Sequence, residues 1–340
     1  MEALRIHFAF LENAPLKDYE RKWPAGLKKE LAPHAEKREI IYAERPDEAD
    51  IIVLLESGLD KKRSYLKALS QDSNLRRHWQ KVFTINYEDQ PQGFLQGLYS
   101  SICPPNYNAA LHRPWPPLYL PCGHVYQVTD DRIRAQKPAL LFSFLGSKSH
   151  PIRQKILSLY SSDRTGEVQV EEVDKWFNHN AGEKSKYVEV SLNSRFVLCP
   201  RGFAPFTYRI CEAMALGRVP VVIADDWLPF AFAENLPYYV RIPETQIDRI
   251  GGILREADSY AEEYGSNARK LWTTYCSPVT RMRAAVMAIA KLKSEGTGPQ
   301  TYEACKSQWA SRQVLKQNGW TLGQRLSRKL HRLIKGLHLT

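Results

Sequence analysis

Between Ser194 and Ala224 the chain reads as an apolar strand, a short turn, a helix and a second apolar strand. The first strand, Ser194-Arg195-Phe196-Val197-Leu198-Cys199-Pro200, runs into Arg201-Gly202. A helix carrying Tyr208-Arg209-Ile210-Cys211-Glu212-Ala213 follows, closes at Gly217, and gives way to Val219-Pro220-Val221-Val222-Ile223-Ala224. Strand, helix and strand at this spacing form a βαβ unit, whose crossover is almost always right-handed. The helix N-terminus then lies outside the carboxyl end of a parallel strand, where open α/β sheets hold ligands. Free backbone N–H groups, the positive helix end and Arg201 converge there on one anion. The unit is that of a nucleotide-diphosphate pocket.

The 340 residues suit two domains of ordinary size better than one core. An apolar content of 43% and a charged content of 25% exclude a disordered chain. The formal charge of +11 favours anionic partners: nucleic acid, an anionic membrane face or nucleotide phosphates. Much of that excess lies after residue 300, where Glu303 is the one acid among many Lys and Arg. Six scattered cysteines without a C-x-x-C pair fit buried thiols in a reducing compartment, not a disulfide framework or a zinc site. The first residues show no signal-peptide pattern, and no apolar run approaches the ~20 residues of a membrane span. A cytoplasmic location is expected.

Strands are predicted at Leu4–Phe10, Lys37–Tyr42, Asp50–Leu55 and Lys81–Asn86, with helices at Tyr19–Leu31, Leu59–Leu69 and Leu75–Gln80 between them. After Asp50 the run is apolar through Leu55, as a parallel strand buried on both faces requires. That alternation makes residues 1–135 a first α/β domain on the acceptor side. Its proline-rich end, from Gln90 to Pro121, reads as loop and connection. Residues 136–295 form the second, ligand-binding domain, starting with a strand at Ala139–Leu145 and a helix at Pro151–Tyr160. Its later elements are a strand near Tyr238–Ile242 and helices from Gln246 towards Lys293. The break at Gly296-Thr297-Gly298-Pro299 opens a basic tail, 296–340, in which Trp320–Leu337 is amphipathic. That stripe suits an anionic bilayer surface, or a place against the first domain with its charges solvated.

Two features of the second domain suit phosphate. Gly146-Ser147 follows a strand, with Arg153 one turn into the next helix; the alternative is a tight turn with Arg153 in water. Arg201 and Gly202 are joined by Arg209 and Glu212, which are i,i+3 and can also pair with each other. Glu212 stands on an otherwise apolar helix and needs a partner, for which a ribose diol is suited. Asp225-Asp226 invites a Mg²⁺ reading, yet the arginines can neutralise a diphosphate alone, so no metal is expected. In the first domain Glu88 and Asp89 follow a strand and are the candidate general bases, or else solvated turn acids. His7 reads as a core histidine, and Cys199 and Cys211 as small core residues.

Residues 195–202, Arg209-Ile210-Cys211-Glu212-Ala213, Gly217–Val222, and Asp225 with Leu228-Pro229-Phe230 together resemble the exostosin family of glycosyltransferases. Phe144-Leu145-Gly146 with Arg153 is similar to that family's Phe-x-Gly element and its following Arg. The resemblance covers roughly residues 139–235. It implies a GT-B architecture, two Rossmann-like domains facing a central cleft with a C-terminal helix crossing back. It also implies inverting transfer of a sugar from a UDP-linked donor to a glycan, with no cofactor and no obligatory metal. By position, Arg153 and Arg201 would meet the diphosphate, Glu212 the ribose, and Arg209 would support the same pocket. The N-terminal half matches no motif of the family, so acceptor and base stay open. A bacterial enzyme of surface polysaccharide or lipopolysaccharide synthesis is the expectation, acting on an oligosaccharide or lipid-linked acceptor at the inner face of the membrane. The rivals are a GDP-sugar, fucosyl-type transferase and a non-catalytic basic protein binding nucleic acid or polysaccharide. The absence of a glycine fingerprint after the first strand argues against a dinucleotide dehydrogenase.

Overall fold

Two wholly parallel sheets organise the chain. A computed structural model describes residues 3–296 and 302–309, apart from 12–22, 38, 57–67, 70, 87, 90, 92, 119–122, 174–179 and 234. The first sheet holds β1 (Leu4–Ala9), β2 (Ile40–Tyr42), β3 (Ile51–Glu56), β4 (Val82–Asn86), β5 (Gly97–Tyr99) and β6 (His112–Pro114) in the order β2-β1-β3-β4-β5-β6. The second holds β7 (Leu140–Gly146), β8 (Val168–Glu172), β9 (Ser194–Pro200), β10 (Val219–Ile223) and β11 (Val240–Arg241) in the order β11-β10-β9-β7-β8. β3, β4, β7 and β10 are buried along their whole length, which explains sequences apolar but for Glu56, Thr84, Asn86 and Ser143. In each sheet the order reverses once: between β1 and β3, and between β7 and β9. Those reversals are where a doubly wound sheet opens a crevice beyond its strands' carboxyl ends.

Among the described residues the α-helices are α1 (Trp23–Glu36), α2 (Ser73–Arg77), α3 (Gly123–Tyr126), α4 (Asp130–Ala135), α5 (Pro151–Tyr160), α6 (Ala181–Leu192), α7 (Tyr208–Ala215), α8 (Ile250–Glu256), α9 (Ala261–Leu271), α10 (Arg281–Glu295) and α11 (Tyr302–Trp309). A π-helical turn, Trp272–Cys276, continues α9. The β9-α7-β10 unit follows the sequence reading closely. Gly217, at φ 63°, ends α7 in the left-handed conformation that favours glycine.

The two Rossmann-like domains have the expected α/β, GT-B layout, with their carboxyl edges turned towards each other. Cys103, just beyond β5, donates its thiol to Asp226 Oδ2, just beyond β10, at 3.5 Å. Trp115, after β6, meets Phe232 edge-on at 4.9 Å, and Phe232 stacks on Tyr275 at 4.4 Å. The crossing helix is α10. Its Met282, Ala285, Val286, Ile289 and Leu292 join Ile6, Ile51, Val53 and Phe83 in the core of the first domain. Arg281–Glu30, Arg283–Glu39 and Arg113–Glu295 ion pairs flank that contact.

Several boundaries differ from the sequence reading. Residues 90–121 are not all connection, because β5 and β6 extend the first sheet within them. These strands are three residues long and one ends in Pro114, so they leave no periodic signal. Val125, Val128 and Ile133 lie in the second domain's core although residues 123–135 read as first domain; conversely, α10 reads as second domain and packs on the first. β8 and α6 were not foreseen. After the Gly/Pro break, Tyr302 of α11 docks on the first domain, its hydroxyl donating to Leu69 O at 3.1 Å. The stripe at 320–337 lies outside the described residues.

Candidate active site

The reversal in the second sheet sets two strand ends side by side: Leu145-Gly146-Ser147 after β7, and Pro200-Arg201-Gly202 after β9. Two arginines lace them together crosswise. Arg153, on the helix that follows β7, donates through Nε and Nη2 to Pro200 O at 3.3 and 3.1 Å, and through Nε to Arg201 O at 3.0 Å. Arg209, on the helix that follows β9, donates through Nη2 to Leu145 O at 2.7 Å. Its guanidinium stands over the Phe144 ring, 5.1 Å from the centroid. Gly146 is needed for this closeness, whereas a side chain at Gly202 would meet Arg153 only at ordinary contact distance. A Cβ on Gly146 would lie 2.7 Å from Arg209 Nη2 and 2.6 Å from the Phe144 ring; one on Gly202 would lie 3.4 Å from Arg153 Nη2.

This crossing is electrostatically unbalanced. Arg153 is only 4% exposed, and the acceptors of its hydrogen bonds are carbonyls and the Ser149 hydroxyl. Burial first, and then the neighbouring Arg209, pull its guanidinium well below the ordinary arginine range. Arg209 Nε and Ser147 Oγ are buried and make no hydrogen bond. Thr207, the N-cap of α7, makes no side-chain bond to its helix. One buried and one half-buried cation, an orphaned hydroxyl and a helix start without a side-chain cap together suit an anion.

Glu212, on the same helix as Arg209, is 9% exposed and accepts from the Tyr187 hydroxyl. Burial and then Glu212 push the Tyr187 phenol well up, so it stays a donor. Sequence did not offer Tyr187 as this partner, because it comes from α6, a separate segment. Arg201 stands apart from the crossing. Its Nη1 donates to Asp226 Oδ1 at 2.6 Å and to Glu244 Oε1 at 3.4 Å. Asp225 and Glu244 bind reciprocally, each backbone N–H donating to the other's carboxylate at 3.0 Å. Asp225 therefore caps the turn after β10, and Glu244 is an unforeseen member of the group. His150 accepts from Ile152 N at 3.3 Å as the N-cap of α5. His7 Nδ1 lies 2.9 Å from Ala43 O.

The first sheet presents the opposite chemistry. Glu56, at the carboxyl end of β3, is 5% exposed and accepts at Oε2 from Thr84 Oγ1 at 2.6 Å and Asn86 Nδ2 at 2.7 Å. Asn86 Oδ1 in turn accepts from Glu88 N at 3.0 Å. Asp89 follows on an exposed turn, and partial burial of its carboxyl raises it above the ordinary aspartate range. The Cys103–Asp226 contact joins the two edges, and burial followed by Asp226 pushes the Cys103 thiol up to about 11. Among the described residues, no group of three or more His, Cys, Asp or Glu side chains is placed to hold a metal ion.

Residues 69–257, more than half of the chain, match the model of the exostosin GT47 domain. The chain belongs to the exostosin GT47 family. Over 81 residues it is 36% identical to a probable glucuronosyltransferase of Oryza sativa subsp. japonica, a match covering 23% of this chain and 18% of that protein. Over 70 residues it is 40% identical to the probable glucuronoxylan glucuronosyltransferase IRX7 of Arabidopsis thaliana, covering 20% of this chain and 16% of that one. The matched stretch thus spans less than a fifth of these relatives' length. Among solved structures, Anabaena HepE, crystallised with UDP and glucose, aligns over 86% of this exostosin chain and 100% of its own at 11% identity, with a TM-score of 0.41.

Proposed function

We propose that this exostosin-family chain is an inverting glycosyltransferase that moves a sugar from a UDP-sugar to a glycan acceptor without a metal or other cofactor. The observation that carries the reading is the arginine crossing at the second sheet's reversal, the buried Arg153 and half-buried Arg209 guanidiniums beside an unused donor and an unused hydroxyl. Arg153 and Arg209, with Gly146, Ser147 and Gly202, take the diphosphate. Glu212 takes the ribose hydroxyls, sharing them with Tyr187. Arg201 stands at the rim and exchanges Asp226 for phosphate when the donor enters, while Asp225 keeps the β10 turn in place. The names of the rice and Arabidopsis relatives support a glycan acceptor and make UDP-glucuronic acid and UDP-xylose the first donors to try.

The chemistry follows from the two edges. Asp89, with Glu88 as the alternative, removes a proton from the acceptor hydroxyl. That oxygen attacks the anomeric carbon from the face opposite the donor's phosphate, and the carbon–oxygen bond to phosphate breaks with its electrons going to the diphosphate. The guanidiniums stabilise that developing charge where it forms. No helix of the described residues is long and apolar enough to cross a membrane, and we assign the protein to the cytoplasmic side, working at the inner membrane face on surface polysaccharide or lipopolysaccharide. Calorimetry with UDP tests the pocket. Arg209→Ala and Glu212→Ala each lose about 10- to 100-fold in affinity, the scale of one charge-assisted hydrogen bond. Unchanged affinity in folded variants overturns the site. A larger thermal shift with GDP than with UDP instead selects the guanosine donor.

A further inference from the structure

Glu56 is a buried carboxylate that none of the roles above employs, and it sits at the carboxyl end of β3, beside the first sheet's reversal. Its Oε2 receives two neutral donors from the adjacent strand, Thr84 Oγ1 and Asn86 Nδ2. The register explains how they meet: Glu56 lies opposite Asn86, and Leu54 opposite Thr84, whose hydroxyl also reaches Leu54 O at 3.2 Å. An ionised carboxylate has acceptors only. It therefore admits the NH₂ end of the Asn86 amide and repels the carbonyl end, which fixes the amide's direction. With Nδ2 turned inward, Oδ1 faces outward and accepts from Glu88 N. The backbone of Asn86 is held as well, its carbonyl accepting from Ser100 N at 3.1 Å and Ser100 Oγ at 3.3 Å.

We infer that Glu56 is a positioning residue: by locking the Asn86 amide in one orientation, it holds Glu88 N, and with it Glu88 and Asp89, at the carboxyl edge of the first sheet. This rests on the transferase reading above. Glu56 touches no substrate; it acts through Asn86. A glutamine keeps the carbonyl oxygen that Thr84 and Asn86 both need, whereas a leucine leaves the amide free to turn over. The two substitutions therefore separate positioning from proton removal, because only a carboxylate serves as the base.

The test compares Glu56→Gln and Glu56→Leu in the full chain, with Asn86→Ala as the variant that cuts the same link from its other end. The readouts are UDP affinity by calorimetry, the kcat and KM of UDP-glucuronic acid hydrolysis, and the Asn86 side-chain amide signal by NMR. Expected are UDP affinity within about twofold of wild type throughout and a kcat loss of about 30-fold or more in Glu56→Leu and Asn86→Ala. Glu56→Gln should stay within a few-fold of wild type. The double variant Glu56→Leu/Asn86→Ala should lose no more than either single one, the sign of one shared path. The Asn86 amide protons should be slow to exchange in wild type and Glu56→Gln and fast in Glu56→Leu. A Glu56→Gln as damaged as Glu56→Leu overturns positioning in favour of a direct role for the charge, and an unaltered kcat or Asn86 signal in Glu56→Leu overturns it altogether. Where the wild type binds no UDP, the transferase reading fails by itself, and the Asn86 signal still decides the link.

Discussion

The two sheets share a topology and a reversal of strand order, yet their carboxyl edges are made of opposite materials. The edge of the second carries Arg153, Arg209 and Gly146, where backbone and a cation approach closely. The edge of the first carries Glu56, Thr84 and Asn86 in a neutral-donor, anionic-acceptor cluster, with Asp89 beyond it. A fold that places two crevices face to face does not dictate their chemistry; under the proposed function, the side chains at four strand ends assign the departing anion to one and the nucleophile to the other.

The sharpest way to break this division is Asp89→Asn. It should cut turnover about 10²- to 10⁴-fold, the range for a lost general base, with UDP affinity unchanged by calorimetry. Turnover in the wild type should fall as pH drops through the raised range of the Asp89 carboxyl, and an unaffected Asp89→Asn passes the role to Glu88. Next comes acid. His112 is neutral in the fold: Nδ1 accepts from Asn108 N at 3.0 Å, Nε2 lies 2.9 Å from Gly93 O, and burial takes it from its ordinary 6.5 down to about 4. Its contribution, on the order of 3 kcal/mol, is complete above pH 6.5 and drains away as pH falls towards 4, because the unfolded chain takes up the proton first. Hydrogen exchange should then show residues 93–114 loosening at pH 5 before β7 and β9, and His112→Gln should flatten that dependence.

Smaller effects sharpen the second edge. Gly146→Ala puts a methyl within contact distance of Arg209 and Phe144, so we expect about 1–3 kcal/mol of lost stability and roughly tenfold weaker UDP binding. Equal loss of stability without loss of affinity would detach the crossing from the ligand. Ser147→Ala, which removes a buried hydroxyl without a protein partner, should cost binding about tenfold at most and leave the melting temperature unchanged or raised.

Much of the second domain was legible because its strands are buried on both faces and spell themselves as apolar runs. Pro151–Tyr160 and the β9-α7-β10 unit emerged with nearly their true limits. The short edge strands were hidden: Gly97-Leu98-Tyr99 and His112-Arg113-Pro114 are too brief for a period to show, and Val168–Glu172 reads as a polar stretch. Arg153, Arg209 and Glu212 could be nominated from their spacing after strands. Their crossing could not, since it depends on β7 and β9 being neighbours, which strand order alone decides. For the same reason Tyr187, Glu244 and the Glu56–Asn86 link escaped: each joins segments whose proximity no local pattern encodes.

Helix α10 has one more consequence. Its five buried apolar side chains, of which Met282, Val286, Ile289 and Leu292 are each worth ~1.5–3 kcal/mol when fully buried, complete a lobe whose described strands all precede residue 115. During synthesis the first lobe must therefore wait, its floor open, until more than 160 further residues have left the ribosome. The later lobe, finished by residue 276, has the better claim to mature first and to serve as the template on which the earlier one closes.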